Sequence, residues 1–174
     1  MMRGQEDHLE SAGREPDASA GGAGAPPDPD GPNRAPDLTR EYAGDDVTVQ
    51  WYAGRCIHSA NCVRALQRVF DPRRRPWVDP TAASAEEVVA AIVRCPSGAL
   101  HFVRHDGGAD ERPDVPATVT PVRGGPFYLR GDVEIRGFEG QPIRRDTRAA
   151  LCRCGHAHQL PLCDNTCRAI GWTE

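Results

Sequence analysis

The seven cysteines of this 174-residue chain constrain its fold more than any other feature, because they fall into two separate groups. Three of them come before residue 96 and four come after residue 151: Cys56, Cys62, Cys95, Cys152, Cys154, Cys163 and Cys167. An odd number fits a disulfide framework poorly, and the N-terminus lacks the apolar core of a signal peptide. We therefore expect a cytoplasmic protein whose reduced thiols bind metal at two sites.

The first 45 residues predict a disordered acidic tail. Residues 17–37 consist almost entirely of Gly, Ala, Pro and Asp, which cannot bury enough apolar surface to offset the entropy of folding. The formal net charge is −4, and the acidic excess lies in this tail, so the remainder is mildly basic. The sequence has no run of 18 apolar residues, so we expect no membrane span. No basic stripe is interleaved with aromatic residues, so we expect no nucleic-acid binding.

Residues 46–105 predict a small α+β domain. Apolar and polar residues alternate over residues 46–52, as in a half-buried strand, and apolar residues recur at helical spacing over residues 61–70. Residues 84–87 (SAEE) form a capping box that begins a second helix. This helix runs into Cys95, and a final strand follows.

The first three cysteines have a chemical interpretation. Bacterial ferredoxins hold a cluster with a Cys-x2-Cys-x2-Cys loop and a distant Cys that precedes a proline. Cys56 and Cys62 occupy the first and third positions of such a loop, Ser59 stands where the middle Cys would be, and Cys95 is the distant partner before a proline. The spacing therefore indicates an iron–sulfur site with three thiolates.

The segments RCIHSANCVRALQRVFD and CPSGAL resemble the divergent single-cluster 4Fe–4S ferredoxin domain over residues 46–105. The resemblance implies a ferredoxin-like fold of the βαβ type and one cubane cluster that has the same three cysteines as ligands. Three thiolates suffice for a 3Fe–4S cluster. A 4Fe–4S cluster needs a fourth ligand, for which the Ser59 hydroxyl, the His58 imidazole and a water are the alternatives.

The second half predicts a β-rich domain that ends in a metal-binding loop. We expect a linker and connecting strand over residues 106–124, and a hairpin that turns at Gly124 and Gly125. The last four cysteines have the spacing C-x-C-x8-C-x3-C, and the C-x3-C pair places two side chains on one face of a helical turn. Asp164 is positioned to cap that turn.

This pattern resembles the CDGSH iron–sulfur domain over residues 125–174, including the segment GPFYLRGDVEIRG before the loop. That family binds one 2Fe–2S cluster through three Cys and one His. The resemblance implies pairing as a homodimer, and it implies three ligands here: Cys152, Cys154 and Cys163. Cys167 stands where the family has its His, and we predict that it ligates too.

The exchange of His for Cys has a directional consequence. A thiolate in place of a neutral imidazole makes the cluster more negative, so its potential should fall toward the value of about −400 mV found in plant-type ferredoxins. Ala157 and Asn165 also depart from the family pattern, in which these positions hold Ser or Thr and Gly. We expect the nearby His156 and His158 to be exposed residues beside the site and not ligands.

These features predict an iron–sulfur protein that acts in electron transfer and is not itself an enzyme, since no nucleophile elbow, phosphate loop or dinucleotide motif is present. Two alternatives keep the clusters and make the protein a redox sensor or a cluster carrier. A further alternative is a zinc-binding structural module. The expected partner is a reductase or an oxygenase, and the basic run Arg73–Arg75 is either its docking site or a solvated loop.

Overall fold

The computed structural model describes residues 38–173, which form two small domains with open antiparallel sheets and few helices. A disordered tail was predicted for residues 1–45, and residues 1–37 of it lie outside the described part of the chain. Its predicted C-terminal boundary is corrected, since Arg40–Ala43 forms the first strand, β1. Tyr42 explains the difference, because its ring is buried in the first domain, and one buried residue in a four-residue strand leaves no periodic pattern.

The sheet of the first domain has the strand order β1-β2-β3. Strand β2 (Val47–Trp51) pairs with β1 and with β3 (Leu100–Arg104), and both pairings are antiparallel. A βαβ unit joins parallel strands, so the β2–β3 pair differs from the expected βαβ type. The helices α1 (Asn61–Ala65) and α2 (Ala85–Ile92) lie in the connection between β2 and β3. Two short 3-10 helices lie there as well, at Ala53–Arg55 and Pro80–Ala82.

The two α-helices differ in how well the sequence predicts them. Helix α2 begins at the predicted capping box, because the Ser84 hydroxyl accepts the Glu87 N–H while the Glu87 carboxylate accepts the Ser84 N–H. Helix α1 is shorter than the predicted range 61–70, since Leu66 leaves the helical region at φ −153° and ψ 71°. None of the helices among the described residues is long and apolar enough to cross a membrane.

The first domain has a substantial hydrophobic core between its sheet and its helices. Strand β2 contributes Val49, helix α2 contributes Val88 and Ile92, and all three are fully buried. The ring of Trp77 packs edge-on against Trp51 at 5.2 Å between centroids and covers one end of this core. Apolar burial of this extent is a major contribution to the stability of the first domain.

The second domain is a meander of three strands. Strand β4 (Thr118–Pro121) pairs with β5 (Phe127–Arg136), which pairs with β6 (Pro142–Leu151), all antiparallel. The predicted hairpin at Gly124 and Gly125 is therefore present. A bulge interrupts the β5–β6 register near Gly131, where φ is +125° and a Cβ atom would lie 2.6 Å from the Ala117 Cβ.

The apolar core of the second domain is small. Its buried members are three residues from β5 and β6: Leu129, Ile135 and Ala149. The segment predicted as a linker, residues 106–124, contains β4 and also makes specific contacts, since the Glu111 carboxylate accepts hydrogen bonds from Thr147 and Arg148, both at 2.6 Å. This segment therefore belongs to the packed structure, and the two domains share an interface.

Candidate iron–sulfur sites

The first three cysteines line one recess. Cys56, Cys62 and Cys95 all face a small cavity that opens to solvent. The other residues around it are mostly apolar: Trp51, Ile57, Ser59, Ala60, Trp77, Ser97, Ala99 and Leu100. The structure thus brings together all three cysteines that the sequence predicts for this site, in a pocket with soft sulfur donors and apolar walls.

Local backbone structure places each of these thiols. Cys56 follows the short helix Ala53–Arg55, and its N–H donates to the Ala53 carbonyl at 3.0 Å. The loop then turns through two residues with positive φ, His58 at 51° and Ala60 at 58°. Such angles are costly for residues with a Cβ atom, so the packing around this loop holds it in a conformation that directs the thiols inward.

The remaining two thiols of this site are carried by the helices. Cys62 lies in the first turn of α1, and Cys95 follows α2, with its N–H donating to the Ile92 carbonyl at 2.8 Å. Burial, and then the charge of Cys95, raise the pKa of Cys62 to about 11. Burial also raises the pKa of Cys56. A bound metal centre has to displace these protons, because thiolates are the ligands.

The structure separates the candidates for a fourth ligand at the first site. Ser59 lines the cavity, whereas His58 is not among the lining residues, and its Nδ1 lies 4.0 Å from the Cys56 Sγ. The sequence did not single out Ser97, whose buried hydroxyl lies 3.8 Å from the Cys95 Sγ. The only signal for it was its place two residues after the Cys-Pro pair.

The second group of cysteines lies where strand β6 ends. Leu151 forms an isolated antiparallel bridge with Leu162, the Cys152 N–H donates to the Pro161 carbonyl at 2.8 Å, and the Cys163 N–H donates to the Ala150 carbonyl at 2.9 Å. These bonds close residues 152–162 into a loop whose two ends are held side by side. The first and third cysteines of the motif therefore meet at the base of the loop.

The other two cysteines complete this group. The Cys152 and Cys154 sulfur atoms lie 3.5 Å apart. Cys167 is buried in α3 (Thr166–Ala169), and its charge acts on both Cys154 and Cys163. Burial, and then the charge of Cys167, raise the pKa of Cys163 to about 11 although the Asn165 N–H opposes this. The four predicted cysteines are thus gathered in one place.

Backbone N–H groups point at the sulfur atoms of the second site. The His156 N–H donates to the Cys154 Sγ and the Asn165 N–H donates to the Cys163 Sγ, both at 3.4 Å. Asn165 reaches this geometry with a positive φ of 72°, in a position where the CDGSH pattern has Gly. Hydrogen bonds to sulfur favour the charged thiolate and raise the reduction potential of a bound cluster.

The prediction that Asp164 caps the last helical turn is corrected, since the N-cap residue of α3 is Asn165, whose side chain makes no capping hydrogen bond. Asp164 lies one residue earlier and bonds nearby N–H groups. Its Oδ1 accepts the Thr166 N–H at 3.0 Å, and its Oδ2 accepts the His158 N–H at 2.8 Å and contacts the His158 Nδ1 at 2.8 Å. These bonds hold the pKa of Asp164 well below its usual range, against the opposing effect of burial. His158 is exposed and turned to Asp164, and His156 Nδ1 contacts the Cys154 carbonyl at 2.6 Å. Both imidazole rings are therefore bonded to groups other than thiols.

The donor geometry bears on the kind of metal centre. Within residues 38–173, no three His, Cys, Asp or Glu side chains converge tightly enough to hold a single metal ion. A lone zinc ion needs four donors at about 2.0–2.3 Å, whereas an iron–sulfur cluster spreads its ligands over several atoms. Both sites offer thiol sulfur, which is the ligand that holds iron–sulfur clusters.

The three consecutive arginines of the first domain, residues 73–75, bond mainly to groups close to them in sequence. Arg74 donates to the Val69 carbonyl at 2.8 Å, and Arg75 donates to the Pro72 carbonyl at 2.8 Å. Arg73 is 79% exposed and forms an ion pair with Asp71 at 3.2 Å. Arg75 is exposed as well, so this loop offers two exposed guanidinium groups to a partner, of which that of Arg73 is already paired with Asp71.

Comparison with known families places the chain in a defined class. Residues 42–105 match the family described as a divergent 4Fe-4S mono-cluster, and residues 124–167 match the iron-binding zinc finger of CDGSH type. The chain belongs to the iron–sulfur proteins, as a fusion of these two domains.

Two curated relatives share part of the chain. The uncharacterized protein YjdI of Escherichia coli strain K12 is 41% identical over 66 residues, which cover 38% of this chain and 86% of that relative. The protein of the same name from Escherichia coli O157:H7 matches with the same identity and coverage.

Proposed function

We propose that this protein is an electron carrier that holds one iron–sulfur cluster in each domain. The observation that supports this most directly is that one strand, β6, bonds both cysteine groups: Arg148 donates to the Cys95 carbonyl at 3.2 Å, and the Ala150 carbonyl accepts the Cys163 N–H at 2.9 Å. Tyr128 is consistent with this, since burial, and then the charges of Cys163, Cys95 and Cys167, raise its pKa. The two proposed centres are therefore close neighbours.

The strand register explains this proximity. Tyr128 in β5 lies opposite Ala150 in β6, and the Ala150 carbonyl accepts the Cys163 N–H. Two residues earlier in β6, Arg148 donates to the Cys95 carbonyl at 3.2 Å. Hydrogen bonds and a few covalent steps along one strand thus connect the two groups, which suits the passage of electrons.

In this proposal each site holds a different cluster. Cys56, Cys62 and Cys95 hold a 4Fe–4S or 3Fe–4S cluster, and Ser59 is the fourth ligand that the cavity favours. Four cysteines hold a 2Fe–2S cluster: Cys152, Cys154, Cys163 and Cys167. When bound, the clusters supply one-electron oxidation and reduction. The chain itself surrounds the first cavity with mostly apolar side chains and directs N–H groups at the thiolates of the second loop.

The protein carries electrons for another enzyme and has no reaction of its own in this proposal. The redox partner is a reductase or an oxygenase with an acidic surface that Arg73 contacts. All seven cysteines are free thiols, which suits a reducing compartment such as the cytoplasm.

Anaerobic purification followed by EPR spectroscopy before and after dithionite tests the proposal. We expect signals from two different clusters, and reversible redox titration of both without loss of iron. The variant Cys56→Ser should remove the first signal alone, and Cys163→Ser the second alone. A colourless protein with stoichiometric zinc would overturn the assignment of the clusters.

The accessible second loop favours a second candidate, which is a redox sensor or cluster carrier. Gly155, His156, His158, Gln159 and Leu160 are exposed, so oxidants and acceptor proteins can reach this site. Repeated oxidation and reduction separates the two candidates. An electron carrier keeps its iron through several cycles, whereas a sensor or cluster carrier loses the second cluster on oxidation or transfers it to an apo-protein.

A further inference from the structure

A buried network of charged residues joins the two domains. We call it the interdomain clamp, and it consists of Arg55, His101, Glu111, Asp146 and Arg148. The first two belong to the first domain, Glu111 lies in the connecting segment, and the last two lie in β6. All five side chains are at least four-fifths removed from solvent.

Ion pairs bind the members of the clamp across the interface. Arg55 Nη1 lies 3.0 Å from Asp146 Oδ2, with side-chain exposures of 6% and 1%. His101 contacts Glu111 through Nδ1 at 2.8 Å and Asp146 through Nε2 at 3.4 Å. Charges buried to this degree need their partners, because a single unpaired charge in the interior is strongly destabilising. The domains are therefore held in one arrangement.

Arg148 connects the clamp to the first cysteine site. Its guanidinium donates to the Cys95 carbonyl at 3.2 Å and to the Leu100 carbonyl at 2.8 Å, as well as to the Ile92 carbonyl. Arg144, from the same strand, donates to the Ser97 carbonyl at 3.1 Å. The turn that carries Cys95 is thus bonded to β6 at several points.

Gly98 allows the domains to approach this closely. It has a φ of +67°, and a Cβ atom at this position would lie 2.5 Å from the Arg148 carbonyl and would also collide with the Asp146 carboxylate. Any larger residue would push β6 away from the turn after Cys95. The glycine is required by the contact with the second domain in addition to its backbone angle.

The strand that holds the Cys95 turn also holds the second site. Strand β6 ends at Leu151, Cys152 follows directly, and the Ala150 carbonyl accepts the Cys163 N–H at 2.9 Å. Only three residues separate Arg148 from Cys152. A ligand that orders the C-terminal end of this strand at the second site therefore also orders the contacts that Arg148 makes with the Cys95 turn.

We propose that the interdomain clamp couples the two cysteine sites, so that metal bound at either site slows the loss of metal from the other. Binding stabilises the conformation that it requires, and a shared element passes this stabilisation on in both directions. The proposal rests on the proposed binding of a cluster at each site, and it does not depend on electron transfer.

A double-mutant cycle on the full-length, cluster-loaded protein tests the coupling. The readout is the rate at which bathophenanthroline disulfonate removes iron from the first site, followed by the EPR signal of that site. The double substitution Cys152→Ser with Cys154→Ser empties the second site. In the native background we expect this change to accelerate iron loss from the first site about tenfold, which is a typical allosteric coupling.

The same change is then made in a protein whose clamp is broken. In the Arg148→Met background, emptying the second site should change the rate less than about twofold, because the path between the sites is cut. A purely structural clamp would raise both rates and leave the effect of the second site unchanged. Equal rates with the second site filled or empty in the native background would overturn the proposal.

A second variant keeps the test decisive if Arg148→Met fails to fold. Gly98→Ala inserts a methyl group between the turn and β6 without changing any charge, and it should also abolish the coupling. Gly107→Ala is its matched control, since Gly107 has a similar φ of +78° but no atom lies near its missing Cβ. The control should keep the tenfold effect. Reversible redox cycling together with uncoupled iron loss would refute the clamp and leave the proposed function standing.

Discussion

The two cysteine sites differ in what surrounds them. The first lies at the edge of a large apolar core and is lined by Trp51 and Trp77, with one thiol in α1 and another just after α2. The second lies in a loop with exposed residues, beside a core of only three buried side chains. The comparison indicates that the first domain builds its own site, whereas the second domain depends on its metal, as small domains with few apolar contacts often do.

Removal of the metal should give the largest effect, and it should affect the second domain much more than the first. After chelation under reducing conditions, we expect the amides of residues 152–169 to lose nearly all protection from hydrogen exchange, because few apolar contacts remain to order them. The amides of α2 should keep theirs. Hydrogen exchange measured by mass spectrometry checks this. Equal loss of protection in both domains would show that the first site also needs its metal to fold.

Truncation of core residues should sharpen the same contrast. Leu100→Ala removes a fully buried side chain from the first domain and should lower the free energy of unfolding by about 3 kcal/mol. Leu129→Ala in the second domain should cost less than half as much, since its surroundings are less densely packed. Thermal denaturation of the apo-proteins measures both. A larger loss for Leu129→Ala would contradict the ranking of the two cores.

Replacement of one proposed ligand at the second site should have the next largest effect, on the reduction potential of its cluster. Cys167→His replaces a thiolate by a neutral imidazole, so the potential of the second cluster should rise by on the order of 100 mV. The cluster should also become sensitive to acid, because imidazole titrates near pH ~6.5. A spectroscopic redox titration measures the change, and the potential of the first cluster is the internal control. An unchanged second potential would count against Cys167 as a ligand.

Much of both candidate sites could be predicted, because metal ligands have characteristic spacings in the sequence. The spacing of the cysteines located both groups, and Ser84 and Glu87 predicted the start of α2 because capping depends on neighbours in sequence. Helix α1 was predicted too long, since apolar residues after Ala65 continue at helical spacing although the chain turns at Leu66. The spacing of apolar residues indicates which residues are buried, but it does not show where the backbone leaves the helix.

The interdomain clamp could not be predicted, for a different reason. Arg55 and Asp146 are separated by most of the chain, and each alone resembles an ordinary surface charge. Glu111 lies in a stretch rich in Gly, Asp and Pro that is typical of linkers. The only local signal was the alternation in β6, where Asp146 and Arg148 occupy inward positions that usually hold apolar residues. This signal shows that the two residues are buried, but it does not identify their partners, because only folding brings those together.

The contact between the two regions should respond to pH in a defined direction. Burial opposes protonation of His101, but its bonds to Asp146 and Glu111 outweigh this and raise the pKa of His101 from 6.5 to about 9. The stability that protonated His101 contributes is present in full below about pH 6.5 and is lost as the pH rises through 9. The pKa of Glu111 is lowered to about 2, so its contribution is present above about pH 4.5 and is lost in acid.

The midpoint of thermal unfolding should therefore be highest between about pH 5 and 6.5 and should decline toward pH 9. The variant His101→Gln should flatten this decline, because the group that releases its proton is gone. His105→Gln is the control, since His105 is exposed and bonded to Thr48 instead of the clamp. Thiols also ionise in this range, so the difference between the two variants is the informative quantity. If both variants decline equally, the interface is held by the Arg55–Asp146 and Arg148–Glu111 pairs alone, and the two regions separate independently of His101.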